Sequence, residues 1–495
     1  MANYVMALDA STTSVCAIIF DRSGKDVARE AEEITQYYPE PGWVEHDPVE
    51  IWNKQVAVMT AVLKSSGIPL DEIAAIGITN QRETSVIWDR ATGEPIHRAI
   101  VWQDRRTSPI CDDLRPGIED YVAENTGLVV DSYFSASKIK WMLDQVPRAR
   151  ERAARGELAF GTIDSWLIWN LTKGARHVTD ISNASRTLVY NIRTMEWDDK
   201  LLATFDVPRA LLPEVLKSAD AFGETSPELL GRPVPIRAAV GDQQGALFGQ
   251  GCYEQRMTKC SYGTSAAIVM NTGDKLFRPG EGLLGTVTAI VDDKVTYAVE
   301  GVVFNCGSAV HWLRNELKLI SSHDEARVST EDTNGVYFVP AFNGVFAPVY
   351  DPYARGTIVG LTRGAGREHL IRATLESMAF QVHDFIRAIE SVTGLPLDEL
   401  RVDGGSCKND FVMQFQADIS SLPVLRPHVT ESAARGAAYL AGLAAGLWES
   451  REELADTFGL EKRFTPGMDR EKADKRYSGW LRAVNRSLDW AREQD

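Results

Sequence analysis

The sequence predicts an α/β protein whose two related halves face one another. Three observations lead there. Strand-like and helix-like segments alternate along the chain, the pattern of α/β domains. A strand–turn–strand pattern occurs twice. Tyr4 to Leu8 runs through the hydroxyl turn Thr12, Thr13, Ser14 into Val15 to Phe20, and Lys259 to Tyr262 runs through Gly263, Thr264, Ser265 into Ala266 to Met270. The length of 495 residues exceeds what one hydrophobic core usually supports, so two domains are expected, 1–250 and 251–495. The duplicated turn offers hydroxyls from both halves to whatever lies between them, and phosphate fits that chemistry.

The elements follow in order. Asp47-Pro48-Val49-Glu50 opens a helix with an N-cap residue, Pro at the first position and Glu at the third, and Val49, Trp52, Val56, Met59 and Leu63 recur at helical spacing. A buried-strand run, Ala74 to Thr79, ends in Asn80-Gln81-Arg82-Glu83, polar residues at the carboxyl end of a strand, where α/β sheets gather ligands. Phe222 to Pro235, rich in Pro, Gly and Glu, reads as a surface loop, followed by strand Ala238-Ala239-Val240 and a Gly-Asp-Gln-Gln-Gly turn. Leu375, Met378, Val382, Phe385 and Ile389 trace one face of a long helix that stops before Gly394. Strand Leu400 to Val402 leads through Asp403-Gly404-Gly405-Ser406 to a helix from about Asn409 to Ile419. Such a turn lets a nucleotide approach the backbone and aims helix N–H groups at phosphate.

Composition excludes several classes. The formal charge of −16 argues against general affinity for nucleic acid or anionic membrane, so an anionic ligand needs a local site. The six cysteines form no CxxC pair and have no partner His at ligand spacing, which fits free thiols in a reducing compartment. No basic leader or membrane-length apolar run is present, and a cytoplasmic protein is expected.

Several residues carry candidate chemistry. Asp9 ends the first strand beside the hydroxyl turn, where it either holds Mg²⁺ against a transferred phosphate or makes a local turn bond. Thr12 and Thr13 either donate to phosphate or sit as β-branched turn residues. Asp242 either accepts a proton from an attacking hydroxyl or caps its turn. Arg82 and Glu83 can both hydrogen-bond a polyhydroxy compound or lie on a solvated surface. Trp102 can pack on the C–H face of a polyol or fill a core, and Tyr133 can bond a hydroxyl or anchor a loop. The Gly404-Gly405 pair alone is as readily a tight turn.

The order of the motifs resembles one family. Ala7-Leu8-Asp9 with Thr12-Thr13-Ser14, Pro41-Gly42-Trp43-Val44-Glu45-His46-Asp47-Pro48, Asn80-Gln81-Arg82-Glu83-Thr84, Gly241-Asp242-Gln243-Gln244, Asp351-Pro352-Tyr353-Ala354-Arg355-Gly356 and Val402-Asp403-Gly404-Gly405 closely resemble the glycerol-phosphorylating branch of the FGGY carbohydrate kinases. The resemblance implies two ribonuclease-H-like, actin-like ATPase domains closing on a central cleft. It implies ATP and Mg²⁺ as cofactors, a small polyol such as glycerol as substrate, and a homo-oligomer, dimer or tetramer. Carried over by position, it makes Arg82, Glu83, Trp102, Tyr133, Asp242 and Gln243 the polyol pocket, with Asp242 the base. Asp9 becomes the Mg²⁺-linked carboxylate, with Thr12, Thr13, Ser14, Thr264, Gly307, His311, Gly405 and Asn409 around the nucleotide.

Some positions depart from the family. Ala10, Ser11 and Cys16 stand where relatives carry Gln, Gly and Arg, and a lost guanidinium near the triphosphate removes a partner worth roughly 1.5–3 kcal/mol when hydrogen-bonded. Ala267 replaces a Phe that packs on the glycerol carbons, which implies a wider pocket, unless Phe346 fills the space where relatives have Gly. His311 stands where Gln is usual.

Overall fold

A computed structural model describes residues 2–278, 280, 282–321, 329–345, 347, 349–455 and 457–492. Phe346 lies outside them. The N-terminal sheet contains β1 (Tyr4–Ala10), β2 (Ser14–Asp21), β3 (Asp26–Glu33), β4 (Ile73–Asn80), β5 (Ala219–Glu224) and β6 (Pro235–Gly241) in the spatial order β3-β2-β1-β4-β6-β5. The C-terminal sheet contains β7 (Thr258–Tyr262), β8 (Ala266–Gly273), β9 (Leu284–Val287), β10 (Tyr297–Val303), β11 (Leu400–Asp403), β12 (Val424–Pro427) and β13 (Leu460–Phe464) in the order β9-β10-β8-β7-β11-β12-β13.

The six strands of the N-terminal sheet each have a counterpart in the C-terminal sheet, where β9 is an extra edge strand. β1, β2 and β3 meander antiparallel, as do β7, β8 and β10, while β4 and β6 in one sheet and β11 and β12 in the other run parallel to the first strand. An antiparallel edge strand closes each at the far side. The duplicated hydroxyl turns are the equivalent β1–β2 and β7–β8 connections. The actin-like, ribonuclease-H-like architecture is thus present in both halves.

Seven helices matter for the site: α1 (Pro48–Ser66), α2 (Ser135–Gln145), α3 (Asp242–Gly249), α4 (Gly307–Asn315), α5 (Arg367–Thr393), α6 (Asp410–Ser420) and α7 (Ser432–Ala444). Asp47 caps α1, accepting from the Val49 and Glu50 backbone N–H at 2.9 and 3.4 Å, and Gly67 ends it at φ 67°. The buried stripe is rotated from the expected one. Ile51, Gln55, Val58, Met59 and Val62 are buried, whereas Val49 is 43% exposed and Trp52 and Leu63 are only partly covered. The physical reason is Gln55, which sits on the core side because its Nε2 donates to the Cys16 carbonyl at 3.0 Å. A polar residue with a buried partner cannot be told from a solvated one by periodicity. In α5, by contrast, Leu375, Met378, Val382, Phe385 and Ile389 all join the C-terminal core, and Gly394 caps the helix in the left-handed region.

Three further expectations are refined. The Gly-Asp-Gln-Gln-Gly segment is no turn, because Asp242 is the first residue of α3, directly after β6. The loop between Phe222 and Pro235 carries a one-turn helix, Pro227–Leu230. Asn409 stands outside α6 as its N-cap, accepting from Phe411 and Val412 N–H. All six cysteines are buried and free of disulfides, and no described helix is long and apolar enough to cross a membrane.

The halves are joined by α3 and α7. A Cβ placed on Gly436 of α7 would lie 1.9 Å from the Gly245 carbonyl oxygen of α3, so these backbones touch without intervening side chains. α7 also lies on the N-terminal sheet, where Ala434, Ala437, Ala438, Leu440 and Ala441 share one core with Val5, Ala7, Ile18, Ala75, Ala238 and Val240.

Candidate active site

The parallel strands β4 and β6 end side by side, Asn80 opposite Gly241, which brings Arg82 and Glu83 beside Asp242. Neither Arg82 nor Glu83 is solvated surface; they are 4% and 1% exposed. Glu83 has φ 64°, a left-handed conformation unusual for a residue with a side chain. Its carbonyl accepts from Ser85 and Ser135 hydroxyls at 3.0 and 2.9 Å, which pins that conformation, and its carboxylate accepts from Arg186 Nε at 2.6 Å.

Arg82 is the hub. Its Nη1 and Nη2 donate to the two carboxylate oxygens of Glu300 at 2.7 and 2.6 Å, and Nη1 also reaches Gln244 Oε1 at 3.2 Å. Its Nε lies 3.2 Å from Asp242 Oδ1. Asp242 also accepts from the Gln243 N–H at 2.7 Å, and its side chain keeps 34% of its surface open. Gln243 Oε1 accepts from Lys259 Nζ, which also donates to Ser261 Oγ at 2.9 Å and the Ala267 carbonyl at 3.3 Å. Three cations and three carboxylates therefore share this corner: Arg82, Arg186 and Lys259 with Glu83, Asp242 and Glu300.

The charges do not respond alike. Burial would raise the Glu300 carboxyl, but the Arg186 and Arg82 guanidiniums outweigh it and hold it at about 2. For Glu83 and Asp242 burial wins, and both are raised despite the neighbouring cations. Burial lowers Lys259. A raised Asp242 is a better proton acceptor than a solvated aspartate, since basicity follows pKa.

Aromatic walls adjoin these charges. Trp102 and Tyr133 meet edge to face at 5.5 Å, and Arg186 lies over the Tyr133 ring at 5.6 Å. Trp102 Nε1 donates to Thr12 Oγ1 at 3.0 Å, which ties the polyol candidates to the first hydroxyl turn. The Tyr133 loop is held by Lys138 of α2, buried and donating to the Ser132, Tyr133 and Phe134 carbonyls.

The other candidates cluster around the hydroxyl turns. Ser11 Oγ donates to Asp9 Oδ1 at 2.9 Å, and the Ser11 N–H closes the turn onto the Ser14 carbonyl at 2.9 Å. Burial pushes Asp9 up to about 7; Ser11 opposes this, and the charges of Glu431 and Asp242 add to it. Thr13 is exposed at the tip. In the second turn the Gly263 carbonyl accepts from Gly307 N–H at 3.0 Å and the Thr264 carbonyl from Ser308 N–H at 3.0 Å, so that turn sits on the head of α4, which carries His311 one turn on. A Cβ on Gly307 would lie 3.1 Å from Ser406 Oγ, which brings the adjacent Gly405 to the same place, while Asn409 follows as the N-cap of α6. Thr264 and Gly405 are exposed, as an incoming anion requires.

Reading the sequence missed Glu300, Arg186 and Lys259 as members of the site. Glu300 carried a usable signal, a lone carboxylate in Tyr297-Ala298-Val299-Glu300-Gly301-Val302-Val303, because a charge in a buried strand needs a partner. Arg186 carried none.

Residues 4–249 match the N-terminal domain and residues 258–445 the C-terminal domain of the FGGY family of carbohydrate kinases. The chain is 55% identical to the glycerol kinase of Caldanaerobacter subterraneus subsp. tengcongensis and 54% identical to that of Thermoanaerobacter pseudethanolicus, covering 100% of both chains in each comparison. In structure it is similar to the glycerol kinase of Plasmodium falciparum crystallised with ADP, with a TM-score of 0.92 and 36% identity over 98% of each chain. The chain belongs to the FGGY family of carbohydrate kinases.

Proposed function

We propose that the protein transfers the γ-phosphoryl group of MgATP to a primary hydroxyl of glycerol, giving glycerol 3-phosphate and ADP. The observation that carries this reading is the Asp242 carboxylate, partly open, raised by burial and held 3.2 Å from Arg82 beside the first hydroxyl turn. Its full-length likeness to glycerol kinases supports the choice of polyol. On this reading residues 1–250 hold the polyol and residues 251–495 most of the nucleotide.

Glu83 and Arg82 bind adjacent hydroxyls, one accepting and the other donating, and the Trp102 and Tyr133 rings cover the carbon chain. Asp242 takes the proton of the attacking hydroxyl as the bond to phosphorus forms. Phosphoryl transfer needs mainly positioning and charge stabilisation, so the hydroxyls of Thr12, Thr13, Ser14 and Thr264 and the backbone near Gly307 and Gly405 hold the phosphates in line. His311 and Asn409 flank the nucleotide. Asp9 fits a Mg²⁺ role, because this sunken carboxylate lies near Asp242 and Glu431, whose negative charges outweigh the Arg29 guanidinium that also acts on it, and magnesium typically takes one or two carboxylates plus phosphate oxygens and water. When bound, Mg²⁺ supplies charge neutralisation on the phosphates. Glycerol-dependent ADP release in a coupled assay tests the whole reading; a chain that releases no ADP with glycerol refutes it.

Two departures from the family give separate predictions. Ala267 on β8 pairs with Val302 on β10, in the row that also contains Glu300, so its methyl faces the polar corner. Ala267→Phe is expected to raise kcat/KM for glycerol and lower it for four-carbon polyols, since one methylene in a fitted pocket is worth ~1–3 kcal/mol. Wild type strongly preferring glycerol, with the variant impaired, would eliminate the wider pocket. Cys16 is 5% exposed and lies beside Arg29, a hydrogen-bond partner that also acts on Asp9 and pairs with Glu431 at 2.8 Å. A guanidinium thus already stands where Cys16 supplies none. Arg29→Ala is expected to raise the KM for MgATP by about three- to tenfold, and Cys16→Arg to change it by less than about twofold. Steady-state titration of MgATP at saturating glycerol checks both, and a tighter MgATP site in Cys16→Arg would show the charge is missing.

A further inference from the structure

Glu300 belongs to none of the roles assigned above, yet it is the most tightly engaged carboxylate in the corner. It lies on β10 of the C-terminal sheet, paired with Val269 on β8 and Leu284 on β9. Its neighbours Val299 and Val303 point the other way, into the core with Val382 and Phe385 of α5. Glu300 therefore faces the N-terminal half from a strand covered on both faces, and it is 0% exposed. A buried carboxylate in a strand is costly unless fully partnered. Its hydrogen-bond and ion-pair partners come from the other half: both terminal nitrogens of Arg82 at 2.7 and 2.6 Å, and Arg186 Nη2 at 3.6 Å, while from its own half only the Lys259 charge acts on it.

We propose that Glu300 is a positioning residue for the polyol pocket: it reaches across from the C-terminal sheet, grips the Arg82 fork on both terminal nitrogens and fixes where that guanidinium meets the substrate and Asp242. This rests on Arg82 being a polyol ligand, as read above. The geometry leaves little alternative. A bidentate carboxylate fixes the plane of a guanidinium as well as its place. With Nη1 and Nη2 committed to Glu300, Nε is the nitrogen that lies against Asp242, at 3.2 Å, while Glu83 Oε1 stands 3.9 Å away. Without Glu300 those two carboxylates compete for the fork, and it turns from the polyol toward them. Because the grip joins the two halves, the pocket is complete only when the sheets are seated on one another.

The test is Glu300→Gln in the full chain, with the KM for glycerol, the KM for MgATP, kcat and the thermal transition measured beside wild type. Gln keeps the shape and one acceptor and removes the charge. The KM for glycerol is expected to rise by about tenfold or more, the range for losing a charge-assisted hydrogen bond, while the KM for MgATP stays within about twofold. Equal changes in both KM values, or a lowered thermal transition with the glycerol KM unmoved, would overturn the proposal. Glu300→Asp keeps the charge balance of the buried corner but shortens the reach, so it serves if the Gln variant does not fold; it must show the same selective rise, about three- to tenfold, or the idea fails. On an Arg82→Lys background, which cannot offer the fork, Glu300→Gln is expected to have less than about a threefold further effect on glycerol KM. An undiminished effect there would mean that Glu300 acts elsewhere. A wild type that does not phosphorylate glycerol brings down the parent reading and this one with it, whereas an active wild type with an insensitive Glu300 brings down this one alone.

Discussion

Asp242→Asn is expected to lower kcat by about 10²–10⁴-fold, the range for removing a positioned general base, while glycerol still binds. Asn keeps the size of the side chain and can still accept the Gln243 N–H bond that orients Asp242 at the head of α3. What it loses is the capacity to take a proton. The same change removes a negative charge 3.2 Å from Arg82, so that fork turns more fully to Glu300 and stays folded into the network. Glycerol affinity therefore changes far less than turnover. A coupled ADP-release assay gives kcat, and calorimetric titration of glycerol gives binding. Near-normal turnover in the variant would remove Asp242 from the chemistry and leave it as a structural residue at the head of α3.

Arg186→Met is expected to be strongly destabilising. The side chain is fully buried, donates to Glu83 at 2.6 Å and stands 3.6 Å from Glu300. Met fills a similar volume but leaves two carboxylates to share the remaining cations. Removing one partner of a buried ion pair costs about 3–5 kcal/mol, because the other charge stays buried and uncompensated. For domains of this size the transition temperature then falls by roughly 6–20 °C. Scanning calorimetry at neutral pH checks it. The sign with pH is also fixed. Burial already raises Glu83, and losing Arg186 raises it further, so the variant's deficit shrinks as falling pH neutralises that carboxyl. A deficit that grows toward acid would contradict the account.

Much of this was legible in the chain, and what was not has a physical cause. Alternation and the duplicated turn anticipated two matching sheets, because a strand–turn–strand pattern is local and survives duplication as sequence. The apolar face of α5 was readable because every residue on it is apolar. The face of α1 was misread by a fraction of a turn, because Gln55 is buried against a carbonyl that only the fold supplies. At the site, motif order brought Arg82, Glu83, Trp102, Tyr133 and Asp242 to one corner. Their partners Glu300 and Arg186 lie 218 and 103 positions from Arg82 and Glu83 respectively, beyond any local pattern. Composition could not distinguish a solvated Arg-Glu pair from a buried one, since the difference is made by the counter-charges brought from elsewhere.

The placement of α7 bears on how the protein is made. One face of the N-terminal sheet is closed by residues synthesised long after it. Ala437 stands so near β4 that a Cβ on Gly77 would lie 2.2 Å from its carbonyl oxygen. During translation at about 5–20 residues per second, β6 therefore waits roughly 10–40 s before α7 emerges to cover it. For that interval Val5, Ala7, Ile18, Ala75 and Val240 lack the α7 part of their core, and the nascent half leaves that part of the sheet face uncovered. The core of the N-terminal half is thus completed only with the last fifth of the chain.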